Sequence, residues 1–431
     1  MSNKNWNIET IAVQGTYTPD QTGAKTLPIH QSASFDLGNA DNAADLFDLK
    51  VPGNIYTRIT NPTNSALEEK VSLLEGGIGA LALSSGQAAI TLSILNICNP
   101  GDHIISTSSL YGGTYSLFKK TFKKFSIDVS FVDQDAPIEI LRKEIRENTK
   151  AVYAETIGNP SLQILDFDKF SKLAQEAHVP LIIDNTFASP YLFRPFDYGA
   201  NIIVHSGTKY LGGHGNSIAG IIVDGGNFNW GNGKFSDFTT PDDSYHGLVY
   251  NEALGAAAFI GKARVQLLRD IGACLSPFNA FLIHTGIETL HLRMNCHSEN
   301  ALKLGKFLES AKEVEWVSYP GLPSSPSYGL YKKYLSKGAG GMLTFGIKGG
   351  KEAGKRFINS LEIAGIVPNV GDAKTLVIHP ASTTHRQLSD EDLEKSGVSP
   401  SLIRVSTGIE NINDIIEDFK NGLKISQKGS D

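Results

Sequence analysis

Short apolar runs alternate with helix-length segments over much of the chain after residue 79. The runs are typical of buried strands, and they lie at residues 80–83, 103–106, 129–132, 150–155, 179–183, 202–205 and 217–223. Between them, segments such as 138–146 and 167–177 carry apolar residues at helical spacing. This alternation predicts βαβ crossovers, and hence an α/β fold with a largely parallel sheet and helices on both of its faces.

Residues 1–79 do not follow this alternation. Pro52, Gly53 and Pro62 interrupt them, which predicts an extended arm that leads into a helix at residues 65–74. The arm is therefore expected to lie outside the sheet.

The second half of the chain changes character twice. Residues 225–246 are polar and rich in glycine, which predicts a long loop in which Trp230 is a packing anchor. Residues 277–310 favour helices, and a second α/β region follows that ends in a helix near residues 412–424. These changes predict three parts of the chain: an arm (1–62), a large domain (63–270) and a smaller C-terminal domain (271–431).

The charge balance excludes some classes of protein. Lys and Arg number 39 against 45 Asp and Glu, a formal net charge of −6, which argues against a polybasic nucleic-acid binder. Hydrophobic residues make up 41% of the chain, which argues against a disordered protein. The first residues lack the pattern of a signal peptide, and no run reaches about 18 apolar residues. We therefore expect a cytoplasmic protein with neither a nucleic-acid nor a membrane partner.

The cysteine and histidine positions do not predict a metal site. Cys98, Cys274 and Cys296 are an odd number and lie far apart, so we expect all three to be reduced and structural. His205 and His214 are near one another, but no carboxylate stands at ligand spacing, which favours hydrogen bonding over metal binding.

Hydroxyl groups and glycine follow two of the predicted strands. Ser85, Gly86 and Gln87 come after the first strand and open a helix, whose free N–H groups are suited to a phosphate. The alternative is that Ser85 is an ordinary helix N-cap. Ser206 and Thr208 follow the strand at 202–205 and add two hydroxyls.

Ionisable groups follow two neighbouring strands in the sequence. Asp184 comes directly after the apolar run at 179–183, and a carboxylate there needs a cationic partner or a helix N-terminus. Lys209 follows the strand at 202–205 among several glycines, where partial desolvation favours the amine form that a Schiff-base nucleophile requires.

All of these groups should meet, because the carboxyl ends of parallel strands share one edge of a sheet. One cofactor needs this set of groups. Pyridoxal 5′-phosphate takes a lysine Schiff base, an acid for its ring nitrogen and donors for its phosphate. The sequence therefore predicts a site for pyridoxal 5′-phosphate.

Seven motifs carry a resemblance to a known family, and they occur in that family's order. They are YTRITNPT (56–63), SSGQ (84–87), LYGG (110–113), ETIGNP (155–160), DNT (184–186), HSGTKYLGGHG (205–215) and IRVSTGIE (403–410). From about residue 8 to 425 the chain resembles the Cys/Met metabolism pyridoxal-phosphate enzymes. The resemblance implies a fold-type-I, aminotransferase-like subunit: a large cofactor domain with a mostly parallel sheet, and a smaller C-terminal α/β domain.

The same resemblance implies roles for individual residues. Lys209 would hold the cofactor as an internal aldimine and shuttle protons, Asp184 would pair with the ring nitrogen, and Tyr111 would stack on the ring. Arg404 would bind the substrate α-carboxylate, with Asn159 beside it and near the cofactor's phenolic oxygen. The residues expected at the phosphate are Ser85, Gly86, Gln87, Ser206 and Thr208.

Tyr56 and Arg58 are expected to reach the phosphate of a neighbouring subunit, which explains why they precede the sheet. Active sites would then exist only in an oligomer. The resemblance implies a homotetramer built as a dimer of dimers, and the choice between two and four subunits stays open on sequence grounds.

The substrate-side residues favour one branch of the family, the O-acetylhomoserine sulfhydrylases. Gly113 stands where γ-lyases usually carry Cys, and Pro368 and Asn369 stand where cystathionine-handling enzymes usually carry Glu-Ser. Asn369 is therefore a candidate substrate-binding residue. His379 and His385 are candidates for the substrate entrance.

The reaction implied is a γ-replacement in methionine biosynthesis: O-acetyl-L-homoserine and sulfide would give L-homocysteine and acetate. Tyr111 is also a candidate acid near the leaving group. The alternatives are a cystathionine γ-synthase or a γ-lyase, and the acyl group and sulfur donor stay open. A cofactor-binding protein without catalysis is disfavoured because Lys209 and Asp184 are present, and a nicotinamide dehydrogenase because no GxGxxG follows the first strand.

Overall fold

Two β-sheets organise the computed structural model, which describes residues 6–19, 21–383 and 399–427. The first sheet has seven strands in the order β1-β7-β6-β5-β4-β2-β3. These strands are β1 (Gly79–Leu83), β2 (His103–Thr107), β3 (Asp128–Val132), β4 (Thr149–Glu155), β5 (Leu181–Asp184), β6 (Ile202–Ser206) and β7 (Gly220–Asp224).

The direction of these strands sets the position of the site. Strands β2 to β6 pair in parallel, and β7 runs antiparallel between β1 and β6. The carboxyl ends of β1, β2, β4, β5 and β6 therefore lie along one edge. All seven predicted strands are present, although the last begins at Gly220 rather than at residue 217, because residues 217–219 belong to the loop that follows Lys209.

The second sheet is smaller and mostly antiparallel. Its order is β10-β11-β12-β9-β8, and only the pair of β10 and β11 is parallel among the described strands of this sheet. Its strands are β8 (Val314–Ser318), β9 (Met342–Ile347), β10 (Gly365–Ile366), β11 (Leu376–Ile378) and β12 (Leu402–Ser406).

Helices cover the faces of both sheets. The α-helices are α1 (Ile8–Gln14), α2 (Ala40–Phe47), α3 (Pro62–Glu75), α4 (Gly86–Leu95), α5 (Gly112–Ser116), α6 (Ile138–Leu141), α7 (Phe167–Ala177), α8 (Ser189–Leu192), α9 (Ser236–Thr239), α10 (Tyr250–Leu254), α11 (Ala258–Lys262), α12 (Arg269–Ile271), α13 (Pro277–Glu288), α14 (Leu290–Ser310), α15 (Tyr328–Tyr334), α16 (Gly350–Asn359) and α17 (Ile412–Ser426). Shorter 3₁₀ or π turns lie at Leu117–Thr121, Phe122–Phe125, Arg142–Glu144, Pro195–Tyr198, Asp243–Tyr245, Gly255–Ala257, Ala263–Leu268 and Pro380–Ser382.

Local chemistry explains why the helix predicted at residues 65–74 is longer in the structure. The side chain of Asn61 accepts the N–H of Thr63 as an N-cap, and Pro62 occupies the first turn, where its missing N–H costs nothing. The helix ends at Gly76, whose φ of 80° is the left-handed conformation of a C-cap. The arm before it is not wholly extended, since it contains α1 and α2.

Two clusters of buried apolar side chains correspond to the two sheets. The larger surrounds the first sheet and includes Ile283 and Ile287 of α13, while the smaller surrounds the second sheet and begins at Ala301. The boundaries at residues 62 and 270 stay a prediction.

Two further features concern possible membrane helices and the cysteines. No helix among them is both long and apolar enough to cross a membrane. Cys98, Cys274 and Cys296, all of which are described, are free, and burial raises the pKa of the Cys98 thiol.

The segment 225–246 is anchored by an aromatic cluster. Trp230 is 1% exposed and stacks on Phe238 and Phe259, with ring centroids 4.6 and 5.2 Å apart. The predicted packing role of Trp230 is confirmed, and the segment folds around it into α9 and a 3₁₀ turn.

We expect Trp230→Ala to lower the free energy of unfolding by about 3–5 kcal/mol, because it leaves a cavity among stacked rings. The matched control is Trp316→Ala, at a position that is 36% exposed, which should cost about 1 kcal/mol or less. Denaturant unfolding at one protein concentration measures both. Equal losses in the two variants would contradict the anchoring role.

Candidate active site

A cavity of about 290 Å³ opens at the carboxyl edge of the first sheet. The ends of β4, β5 and β6 form its floor, and residues of the C-terminal region face them. Most of the predicted site residues line it together: Ser85, Gly86, Gln87, Tyr111, Asn159, Asp184, Ser206, Thr208, Lys209, Asn369 and Arg404.

The N-terminus of α4 forms one end of the cavity. The hydroxyl of Ser85 accepts the N–H of Ala88 at 3.1 Å, so Ser85 is the N-cap of α4, and its contact with the phosphate stays a prediction. A Cβ at Gly86 would lie 2.8 Å from Cβ of Ser206, and only glycine lets the helix approach β6 this closely. The first N–H groups of a helix have no acceptor within it, which makes this end suited to an anion.

Thr208 and Ser206 border the same end, and both form hydrogen bonds within the chain. Thr208 donates its hydroxyl to the carbonyl of Ala219 at 3.3 Å and accepts the Ala219 N–H at 3.1 Å. The N–H of Ser206 donates to the hydroxyl of Thr186 at 2.8 Å. Thr186 was not predicted, and its hydroxyl fixes the backbone of β6 beside the cavity.

Asp184 is the last residue of β5 and turns its carboxylate toward the cavity. One oxygen accepts the N–H of Thr186 at 2.9 Å, and among the described residues no Lys or Arg forms an ion pair with it. Burial raises the pKa of this carboxyl, while the hydrogen bonds from Thr186 oppose the rise. The group therefore lacks a cationic N–H donor, which a protonated ring nitrogen supplies.

Lys209 lies on the turn after β6 with its amine in the cavity. Its Nζ donates to Oδ1 of Asn369 at 2.5 Å. Burial, and to a smaller extent the charge of Arg404, lowers the pKa of Lys209 to about 8. The neutral amine that a nucleophile requires is then far more populated near neutral pH than in an ordinary lysine.

Arg404 reaches the cavity from β12 of the second sheet. Its guanidinium donates to Oδ1 of Asn159 at 3.5 Å, and burial lowers its pKa. Among the described residues no carboxylate forms an ion pair with it. A partly buried guanidinium in this state is suited to a carboxylate brought by a ligand.

Tyr111 covers the cavity from the turn that follows β2. The residue is 49% exposed, and its backbone N–H donates to Oε1 of Glu155 at 2.6 Å. A Cβ at Gly113 would lie 2.5 Å from this ring, so a larger residue at position 113 would displace Tyr111.

Tyr56 and Arg58 do not line the cavity of the described chain. The Tyr56 side chain is 44% exposed, and the Arg58 guanidinium lies over its ring at 5.5 Å and donates to the carbonyl of Arg269. A contribution to the site of a neighbouring subunit, as predicted, remains compatible with this position.

Several lining residues were not assigned a role from the sequence. Glu155, the last residue of β4, is the ionisable one, and the rule that identified Asp184 would also have found it. The others are mostly apolar, and no local signal marks them: Ile90, Ile157, Phe187, Ile218, Pro368 and Val370.

The histidines are hydrogen-bonded rather than grouped as metal ligands. Nε2 of His205 lies 2.6 Å from Oε1 of Glu75, with both side chains buried, and the sequence did not indicate this carboxylate. Nδ1 of His214 contacts the carbonyl of Gly212 at 2.7 Å. No cluster of three or more His, Cys, Asp or Glu suited to a metal occurs among the described residues.

His379 does not line the cavity, which corrects the expectation for the entrance. It is fully buried and contacts the hydroxyl of Ser382 and the carbonyl of Pro400, both at 2.8 Å. His385 lies outside the described residues.

Comparison with known proteins agrees with this geometry. Residues 9–424 match the model of the family described as Cys/Met metabolism PLP-dependent enzymes. The chain belongs to that family. The cofactor predicted from the sequence, pyridoxal 5′-phosphate, is thereby confirmed, and the cavity has the amine, acid and helix N-terminus that it needs.

Relatives extend the similarity over nearly the whole chain. An O-acetyl-L-homoserine sulfhydrylase of Leptospira meyeri is 52% identical, with 98% of this chain and 97% of that protein covered. A homocysteine/cysteine synthase of Saccharomyces cerevisiae is 49% identical over 93% of each.

A crystal structure shares the fold. It is of a Campylobacter jejuni protein assigned as an O-acetylhomoserine (thiol)-lyase, and it contains N′-pyridoxyl-lysine-5′-monophosphate. The TM-score is 0.93 at 38% identity, covering 97% of this chain and 100% of the other. The aminotransferase-like fold predicted for this family member is confirmed.

The lowered pKa of Lys209 predicts when its amine reacts. Pyridoxal 5′-phosphate is added to the cofactor-free protein, and borohydride reduction traps the fraction that has reacted with Lys209. This fraction should rise with pH to a plateau, with a midpoint at about 8. The amine of a lysine peptide has a pKa of ~10.4. Arg404→Met should move the midpoint upward, because it removes a positive charge that favours the neutral amine.

Quantitative mass spectrometry of the Lys209 peptide measures this midpoint. The control is Arg146→Met, which removes a charge that is paired with Asp128 on the surface. It should leave the midpoint unchanged. A midpoint near that of the peptide in the unmodified protein would show that the Lys209 amine is not desolvated.

Proposed function

We propose that this protein replaces the acetate of O-acetyl-L-homoserine with sulfide and forms L-homocysteine in methionine biosynthesis. One observation carries the proposal: Lys209 and Arg404 face the same cavity, and neither has an acidic partner among the described residues. The chain that holds this cavity resembles sulfhydrylases over nearly its whole length. The names of these relatives support this reaction over the alternatives of a cystathionine γ-synthase or a γ-lyase.

The residues of the cavity would hold the cofactor in a defined orientation. When bound, pyridoxal 5′-phosphate supplies a conjugated ring that withdraws electrons from the substrate α-carbon. The backbone N–H groups of Gly86 and Gln87, with the hydroxyls of Ser206 and Thr208, would bind the phosphate end. Asp184 would hold the proton on the ring nitrogen, and Tyr111 would cover the ring face.

Residues Arg404 and Asn159 would orient the substrate. The guanidinium of Arg404 would bind the α-carboxylate, with the amide of Asn159 beside it. Nζ of Lys209 would remove the proton from the α-carbon, and a second proton leaves the β-carbon. The bond between Cγ and the ester oxygen breaks as acetate departs, a bond from Cγ to sulfur forms, and the protons return to carbon.

The charges around the cavity support a small uncharged acyl group. Lys209 and Arg404 are the cationic side chains among the described residues that line it, and both have other roles in this reaction. A succinyl or phosphoryl ester would bring another anion without a cation to meet it. Pro368, which lines the cavity where cystathionine-handling enzymes usually carry the glutamate, offers no carboxylate, and this favours sulfide over a sulfur donor whose amino group needs one.

A substrate panel tests the proposed function. We expect acetate and homocysteine from O-acetyl-L-homoserine and sulfide, with kcat/KM for the succinyl or phosphoryl ester about 10- to 100-fold lower, which is ~1.4–2.7 kcal/mol. Cysteine in place of sulfide should be a poor donor. Product identification by mass spectrometry decides between the reactions, and cystathionine or 2-oxobutyrate as the main product would refute the proposal.

Lys209→Ala is the control for that panel. It should abolish turnover with every ester and also remove the absorption band of lysine-bound cofactor, while the protein stays folded by circular dichroism.

The proposal includes an oligomer with shared sites. Tyr56 and Arg58 would bind the cofactor phosphate of a neighbouring subunit, in a homotetramer built as a dimer of dimers. Their place outside the cavity of their own chain and the exposed ring of Tyr56 support this arrangement. The cytoplasm stays the predicted compartment.

Mixed oligomers test the sharing of sites. Arg58→Ala and Lys209→Ala subunits, each poorly active alone at limiting cofactor, should regain about a quarter of the wild-type activity when refolded as an equal mixture of dimers. A hybrid dimer then has one site with both native residues. If Arg58 serves its own subunit, every hybrid site lacks one residue and no activity returns.

A further inference from the structure

Glu155 lines the cavity but has no role in the reaction described above. It ends β4, and the parallel register sets it directly opposite Asp184 at the end of β5. It is 6% exposed, borders the cavity and forms no ion pair with any described Lys or Arg. A carboxyl group is costly to bury without a partner, so its remaining contacts need an explanation.

One of those contacts reaches a loop of the site. Oε1 of Glu155 accepts the backbone N–H of Tyr111 at 2.6 Å, on the turn that follows β2. This buried side chain therefore holds the residue that covers the cavity.

The neighbourhood of Asp184 is compatible with this role. Burial, and then the charge of Asp184, raise the pKa of Glu155 well above its usual range. The raised pKa favours the neutral form of Glu155, which serves as a hydrogen-bonding group beside Asp184.

We infer that Glu155 is a positioning residue, which fixes Tyr111 over the cofactor ring through the backbone N–H of Tyr111. The inference rests on the cofactor-covering role proposed for Tyr111. It does not depend on which ester or sulfur donor the enzyme uses.

Cofactor retention measures this role directly. We expect Glu155→Ala to raise the dissociation constant of pyridoxal 5′-phosphate about tenfold, and to weaken the circular dichroism band that the bound chromophore acquires from its surroundings. Glu155→Gln keeps a side-chain oxygen that accepts the Tyr111 N–H, so its loss of cofactor affinity should be about threefold or less. Equilibrium dialysis and the visible dichroism band give the two readouts.

Glu68 provides a matched control. It is also 6% exposed, and its Oε1 accepts the N–H of Ala82 at 2.8 Å, but it pairs with Arg264 away from the cavity. Glu68→Gln should lower the thermal stability and leave cofactor affinity and the dichroism band unchanged. The same loss of affinity in this variant would show a general effect of destabilisation and overturn the inference.

A double mutant shows whether Glu155 acts through Tyr111. Tyr111→Ala should itself weaken cofactor binding, and adding Glu155→Ala, or Glu155→Gln if the alanine variant does not fold, should weaken it little further. Fully additive losses would overturn the inference, as would wild-type affinity in Glu155→Ala or equal losses in the Ala and Gln variants. If the Tyr111→Ala variant binds pyridoxal 5′-phosphate with wild-type affinity, both the covering role of Tyr111 and the inference are wrong. An unexpected product in the substrate panel would leave these affinities untouched.

Discussion

The cavity depends on charged groups that the fold withdraws from water without pairing them. Lys209, Asp184 and Arg404 are partly buried, and none forms an ion pair with a described residue. Burial lowers the pKa of the two bases, with the charge of Arg404 adding to the effect at Lys209, and it raises the pKa of the acid. In the proposed function, a bound cofactor and an amino-acid carboxylate would supply the missing partners, and ligand binding would then also stabilise the folded chain by mass action.

Holding such groups in place requires a rigid support. Arg293 of α14, 3% exposed, donates to the carbonyls of Tyr210 and Leu211 at 2.7 and 3.3 Å, in the turn directly after Lys209. On the neighbouring strand, Asn185 donates to Glu75 at 2.9 Å, and Glu75 in turn contacts His205. The residues that follow Lys209 and Asp184 in the chain are thus tied to helices on the faces of the sheet.

Periodicity predicted the first sheet because its strands are short apolar runs, and α7 because its apolar positions repeat at helical spacing. It could not place Arg404 or Asn369 beside Lys209, since that depends on how the second sheet packs across the cavity, and only the family resemblance indicated them. The contact of Glu75 with His205 joins residues far apart in the sequence and has no local signal. Glu155 also lies at the end of a predicted strand and could have been identified as Asp184 was, but the sequence analysis named it only as part of the motif at 155–160.

The N-terminus of α4 shows why a binding residue and a structural residue are hard to separate in a sequence. The Ser85 hydroxyl satisfies the N–H of Ala88, one of the first donors of the helix. The N–H groups of Gly86 and Gln87 precede it and retain no acceptor within the helix. Capping by Ser85 therefore leaves free the donors that face the cavity, and the structural reading of this serine strengthens the case that the backbone holds the phosphate.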